Sequence, residues 1–201
     1  MLDQQAPACR GSAHLFSAIL LASLASMTLG GMACAVPQSP LPHGRATPPL
    51  ALPSLDHGPQ GLAALQGKVV LVHFFATWCE PCRDEMAALT RLTARMQGKP
   101  FAILAVDVGE VEVKVRRFFT ADPVPFPIAL DEDRAAMKAW KVEFYPTSYV
   151  LAADHTLQIY AAGPVDWDDP ASGRALESLI AGSSEPGLSL PAMPTDSGSQ
   201  Q

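Results

Sequence analysis

The stretch "FFATWCEPCRDEM", Phe74–Met86, places Cys79 and Cys82 two residues apart, with Trp78 before them and Pro81 between them. Upstream, "KVVLVHFFA" (Lys68–Ala76) is a continuous apolar, β-rich run, the pattern of a strand buried on both faces. Downstream of Pro81, Met86, Leu89, Leu92 and Met96 recur three, three and four residues apart, which predicts a helix with one apolar face. Cys79 therefore falls at a strand-to-helix corner. Pro81 suits the first helical turn, where its missing N–H is no loss. The unpaired N–H groups and partial positive charge of a helix N-terminus favour thiolate over thiol, so Cys79 is the expected nucleophile. Cys82 lies about one turn further on and is expected to be more buried. Its sulfur can reach that of Cys79, which suits it to resolve a mixed disulfide.

Other uses of the pair are weaker. A structural zinc site wants four ligands, and the histidines His43, His57, His73 and His155 form no close pair, so no metal site is expected. Two soft thiolates do suit Cu(I), which leaves a copper-carrying module without redox turnover as the alternative. A structural staple across so short a loop constrains little of the unfolded chain.

The remaining sequence frames one domain. The chain has 201 residues, 48% of them hydrophobic, and a formal net charge of -6 without a basic run, which excludes nucleic acid as the expected partner. Leu15 to Ala35 carries no charged residue and ends in Ala33-Cys34-Ala35. Residues 1–35 read as a signal peptide cleaved after Ala35, as an uncleaved membrane anchor, or as a segment lipidated at Cys34; each exports the domain, and the periplasm is the expected location. Residues 36–49 are Pro-rich and expected to form a linker. Residues 50–181 form the expected domain, and residues 182–201 are expected to be disordered. Within the domain, "FAILAVDV" (Phe101–Val108) predicts a second buried strand. Val111, Val115, Phe118 and Phe119 predict a helix, and "FPIALDED" a short strand. Arg134–Trp140 predicts a short helix. "TSYVLAA" and "LQIYAAG" predict a hairpin turning at Ala153–His155. A last helix begins near Pro170, turns Leu176, Leu179 and Ile180 inward, and stops at Gly182. This order implies an α/β fold, a mixed sheet covered by helices on both faces.

"WCEPC" after "KVVLVHFFAT", with "YPT" at Tyr145–Thr147, resembles the thioredoxin fold, and more finely the TlpA/ResA-like branch of exported thiol–disulfide oxidoreductases. "VDVGE" followed by a helix resembles that branch's central insert. "FPIALDEDRAAMKAWKVEFYPTSYVL" resembles the run into its cis-proline loop, and "GPVDW" (Gly163–Trp167) the segment before its last helix. The resemblance implies Cys79 as attacking thiol and Cys82 as resolving thiol. It implies Pro146 as the cis-proline facing the disulfide, with the Tyr145 backbone offered to a client peptide as a strand edge and Thr147 beside it. It also implies Glu110 as an insert carboxylate that accepts the resolving thiol's proton. Trp78 is expected as a packing lid, and Glu80 as an exposed residue that tunes the thiolate or the choice of partner. The chain departs from the branch at His73, where Asn is common, at Phe75, where Trp is usual, and at Ala87, where a proline often kinks the helix. His73 is expected to be a satisfied core histidine.

The function so implied is disulfide reduction in client proteins such as apocytochrome c or copper-site proteins. A membrane electron donor would recharge the Cys79–Cys82 disulfide, and no organic cofactor is required. A disulfide donor working in the opposite direction is the less favoured variant.

Overall fold

The computed structural model describes residues 39–182 and 190–193. The readings of residues 1–35 lie outside the described residues. A small antiparallel pair, β1 (Ala51–Leu52) and β2 (Gln60–Gly61), precedes a single 3₁₀ turn at Leu62–Leu65. The main sheet contains β3 (Val69–Phe75), β4 (Phe101–Val108), β5 (Ile128–Asp131), β6 (Thr147–Leu151) and β7 (Leu157–Ala162), in the order β5-β4-β3-β6-β7. Strands β3, β4 and β5 run parallel; β6 and β7 are antiparallel to their neighbours. The helices are α1 (Glu80–Arg95), α2 (Glu112–Ala121), α3 (Ala135–Ala139) and α4 (Pro170–Ile180). The mixed sheet and helical layers are those of a thioredoxin-like α/β fold.

Alternation along the strands sorts side chains into two cores. Leu71 and Phe75 of β3 and Ile103 and Ala105 of β4 pack with Leu89 and Leu92 of α1, Val115 of α2 and Leu176 of α4. Val70, Val72 and Phe74 face the other way and pack with Trp140, Tyr149 and the N-terminal segment. Every residue of β3 is buried, as its unbroken apolar run requires. Short α3 begins at Arg134, which has φ 62° and supplies no side-chain cap. Asp131, at the end of β5, caps it instead and accepts the N–H groups of Ala136 and Met137 at 3.0 and 2.7 Å.

Three expectations need correction. Val111 does not join the inward face of the second helix. It precedes α2 and is 58% exposed, because the helix starts only at Glu112 and buries Val115 and Phe119 instead. The Pro-rich stretch 36–49 is not wholly a linker. Leu41 is buried against the second core, Gly44 N–H donates to the Leu157 carbonyl, and Leu157 N–H donates to that of Arg45. Prolines permit this extended path because β7 is an edge strand with backbone groups to pair. The tail is likewise ordered in part, since Asp166 N–H donates to the Pro191 carbonyl and Met193 N–H to that of Pro164.

If the stretch around Leu41 belongs to the fold, Leu41→Ala lowers unfolding stability by about 2 kcal/mol, at the low end for a buried leucine. Denaturant unfolding with an unchanged m-value would show it, and a linker residue would give no change.

Candidate active site

Strand β3 ends at Phe75, and three residues carry the chain to Cys79, the N-cap of α1. Cys79 and Cys82 are joined as a disulfide with Cα atoms 5.3 Å apart. The two sulfurs are not equivalent. Cys79 is 6% exposed and Cys82 is 0% exposed, so an incoming thiolate meets Cys79 first. The Cys79 sulfur also accepts the Cys82 N–H at 3.3 Å, one of the donors that α1 would otherwise leave unpaired. Pro81 sits in the first turn, as expected. Glu80 beside it is exposed and lines a groove of about 660 Å³ that runs along α1 past Met86 and Ala87 to Phe118 and Val124.

Topology brings three more segments to this end of the sheet. Because β4 runs parallel to β3, its C-terminus and the Gly109–Val113 turn lie beside the end of β3; because β6 runs antiparallel, its start does too, with Thr147 opposite Phe74. The Tyr145–Pro146 bond is cis, Gly163 N–H donates to the Pro146 carbonyl, and the Thr147 hydroxyl donates to the Phe144 carbonyl at 2.7 Å. Trp78 packs edge-on against Tyr145 with ring centroids 5.9 Å apart. It is 63% exposed, so it borders the disulfide and does not cover it. Phe144, Val111 and Val113 are exposed as well.

Glu110 does come to the site, but its partners differ from the expectation. Its carboxylate accepts the Thr77 N–H at 2.5 Å and the Thr77 hydroxyl at 2.9 Å, and pairs with Lys114 at 2.5 Å. Burial raises its pKa, but Lys114 and the Thr77 donors outweigh burial and hold it below the ordinary glutamate value. A carboxylate held in that way is a poor acceptor for a thiol proton; its visible task is to pin the turn that leads into Cys79. Gly109 makes the approach possible. It has φ +74°, and any side chain there would collide with the Arg134 guanidinium. Asp107 lies behind Glu110, fully buried, and meets no donor. Burial first, then the neighbouring Glu110 charge, pushes its pKa up to about 8, so at neutral pH it keeps its proton.

The carboxyl better suited to exchange a proton is Glu85, which the sequence reading did not single out. It lies three residues beyond Cys82 on the buried side of α1, and residues so spaced on a helix have Cβ atoms about 5–6 Å apart. One oxygen accepts the Val165 N–H at 2.9 Å and the Trp167 indole N–H at 2.8 Å; the other has no partner. Burial pushes its pKa up to about 8 against these two hydrogen bonds. His73, on β3, is fully buried, and burial pushes its pKa down to about 3. Its Nε2 is 3.9 Å from the free Glu85 oxygen, and its Nδ1 is 2.9 Å from the Ser148 hydroxyl. The two side chains meet as neutral groups, since burial opposes the charge on each. The expected satisfied core histidine is thus satisfied on one nitrogen only. The sequence carried a signal for all three: Glu85 interrupts the apolar face of α1, and His73 and Asp107 interrupt strands that are otherwise apolar throughout.

Glu85 makes stability pH-dependent. Between its ordinary value of 4.5 and about 8, the unfolded chain releases the Glu85 proton and the native chain keeps it. The native state therefore loses stability as pH rises through that window. Glu85→Gln keeps an acceptor for Val165 and Trp167 and cannot ionise. Its Tm relative to the unmodified chain should rise steadily from pH 4.5 to 8, as thermal melts across that range would show; a pH-independent difference would contradict the assignment.

Residues 43–160 match the AhpC/TSA family. The chain is 36% identical over 90 residues to the thiol-disulfide oxidoreductase ResA of Bacillus subtilis, covering 45% of this chain and 50% of that one. It is 29% identical over 136 residues to ResA of Geobacillus kaustophilus, covering 68% of this chain and 77% of that one. The chain thus spans about half the length of the Bacillus subtilis relative. Among solved structures, a protein described as the thiol:disulfide interchange protein DsbE, from Chlorobium tepidum, superposes with a TM-score of 0.62 at 27% identity, covering 72% of this chain and 99% of that one. With more than half of its length matched and the fold shared, the chain belongs to the AhpC/TSA family, within its thioredoxin-fold, ResA-like relatives.

Proposed function

We propose that this chain is a thiol–disulfide oxidoreductase that reduces disulfides in client proteins through Cys79 and Cys82. The observation that carries the reading is the asymmetry of the pair at the start of α1. Cys79 caps the helix with 6% of its surface exposed, and Cys82, one turn on, has none. The relatives' descriptions as thiol-disulfide oxidoreductases support the same class of reaction.

The cycle balances through Glu85. In the oxidised form Glu85 carries a proton. A donor thiolate attacks the Cys79 sulfur, the S–S bond breaks, and Cys82 leaves as a thiolate that takes the Glu85 proton. The donor's second thiolate then attacks its own sulfur in the mixed disulfide and releases Cys79 as a thiolate, which the Cys82 N–H and the start of α1 stabilise. The reduced form holds a Cys79 thiolate, a Cys82 thiol and a Glu85 carboxylate. Cys79 attacks the client disulfide and expels one client thiolate. Cys82 returns its proton to Glu85 and attacks Cys79, and the second client thiolate leaves. The client gains two electrons, the chain loses two, and Glu85 ends protonated again.

A disulfide reachable only at Cys79, with exposed Trp78 next to it in the chain, suits a protein client with apolar residues near its target cysteine. Apocytochrome c and copper-site proteins are clients of the right chemical kind. An exported location and a membrane-bound dithiol donor complete the reading, since an oxidising compartment cannot itself recharge the pair.

Cys79→Ser should lose insulin-disulfide reduction altogether, while Cys82→Ser should accumulate a mixed disulfide detectable by mass. Full reductase activity in Cys79→Ser would overturn the proposal. Activity in metal-free protein separates it from a copper carrier. The midpoint potential of the pair gives the direction: about −220 mV or lower fits a reductant, and a value near −120 mV fits a disulfide donor.

A further inference from the structure

Glu85 changes its protonation state twice in each turn of the cycle proposed above, yet its second oxygen has no partner. The atom nearest to it on the facing strand is His73 Nε2, 3.9 Å away and itself without a partner. Both side chains are fully buried, and buried polar atoms left unpaired are costly. Closing that gap by a side-chain rotation would satisfy both atoms.

The other nitrogen of His73 makes this contact usable in two ways. The Ser148 hydroxyl can donate to Nδ1, which puts the ring proton on Nε2, facing Glu85. It can instead accept from Nδ1–H, which leaves Nε2 as an acceptor facing Glu85. Ser148 lies directly opposite His73 in the β3–β6 ladder, so both hydroxyl settings are reached by rotation of one O–H bond. Resting on the oxidoreductase reading, we propose that His73 and Ser148 form a tautomer-switching partner for Glu85. Nε2 accepts from the protonated carboxyl in the oxidised form and donates to the carboxylate in the reduced form. His73 is neutral in both end states; between them one ring nitrogen takes up a proton from water and the other releases one to water when the site opens. The exchange needs no oxidant and no net proton beyond the one that Glu85 trades with Cys82. His73 is a positioning residue here, acting through Glu85.

The groups that face Glu85 are few. His73 comes from β3, with Ser148 of β6 behind it. The Val165 amide and Trp167 indole come from the segment after β7, and Cys82 is on its own helix. The Val165 and Trp167 donors bind the opposite oxygen, which leaves the His73 side to follow the proton.

The test reads the histidine directly. Full-length protein labelled with ¹⁵N-histidine, followed by NMR from pH 5 to 10 in oxidised and reduced forms, should show the His73 proton moving from Nδ1 to Nε2. The midpoint should match that of the Glu85 carboxyl carbon. One tautomer throughout the titration overturns the inference, whatever the activity of the chain. Such a result with an inactive Cys79→Ser variant removes only the switch; an active Cys79→Ser variant removes the oxidoreductase reading, and the tautomer titration still stands as measured. As a second measure, His73→Leu should move the pH profile of the Cys82 resolving step alkaline by about one unit, because the carboxylate loses its donor. His73→Asn should restore the profile, since an amide can flip to donate or accept. Profiles that coincide for His73→Leu and the unmodified chain would also overturn it.

Discussion

The seven residues of β3 pair with β4 along one edge, and Val70 to Phe74 pair with β6 along the other, and neither face of the strand reaches water. This central burial places everything else. It sets the direction in which the chain leaves the sheet, so that the turn after Phe75 opens directly into α1 and puts Cys79 at the helix N-terminus. It also decides the company of the disulfide. With β4 parallel and β6 antiparallel, the Gly109–Val113 turn and the Tyr145–Pro146 bond arrive at the same end.

The same burial makes the polar residues of the inner face expensive. His73, Glu85, Asp107 and Ser148 are all buried on the α1 side of the sheet, where apolar side chains would pack without desolvation. Only part of their hydrogen-bonding capacity is matched: Glu85 by Val165 and Trp167 on one oxygen, and His73 by Ser148 on one nitrogen. Among the described residues, the unmatched buried atoms on this face belong to His73, Glu85 and Asp107. Burial holds Glu85 and Asp107 with raised pKa values and His73 with a lowered one. A thiol pair that takes up and releases protons needs neutral, poised groups of this kind nearby.

Two carboxylates near the thiols thus divide the work. Glu110, paired with Lys114 and two donors from Thr77, is held charged and secures the turn before Cys79. Glu85, buried without a cation, is held neutral and can exchange a proton with Cys82. Their difference is one of environment, since the side chains are chemically identical.

Periodicity and local chemistry reached far in this chain. The unbroken apolar run before Thr77, the three-and-four spacing after Pro81 and the position of Pro81 itself were enough to place the Cys79–Cys82 pair at a strand-to-helix corner, and β4, the hairpin and α4 were legible by the same patterns. These are local properties, set by backbone period and by which neighbours each residue has in sequence. The partners of Glu85 lie 80 and 82 residues away, and Ser148 meets His73 across 75. No local pattern reports such meetings, because they are created by strand register and by the packing of α1 on the sheet. The order of Leu41 and of Pro191–Met193 had the same origin, with edge backbone groups recruiting Pro-rich segments that have no period of their own. By itself the sequence determined that a cysteine pair would stand at the start of a helix. Only the tertiary structure decided which carboxyl is buried behind it, and burial sets that group's pKa.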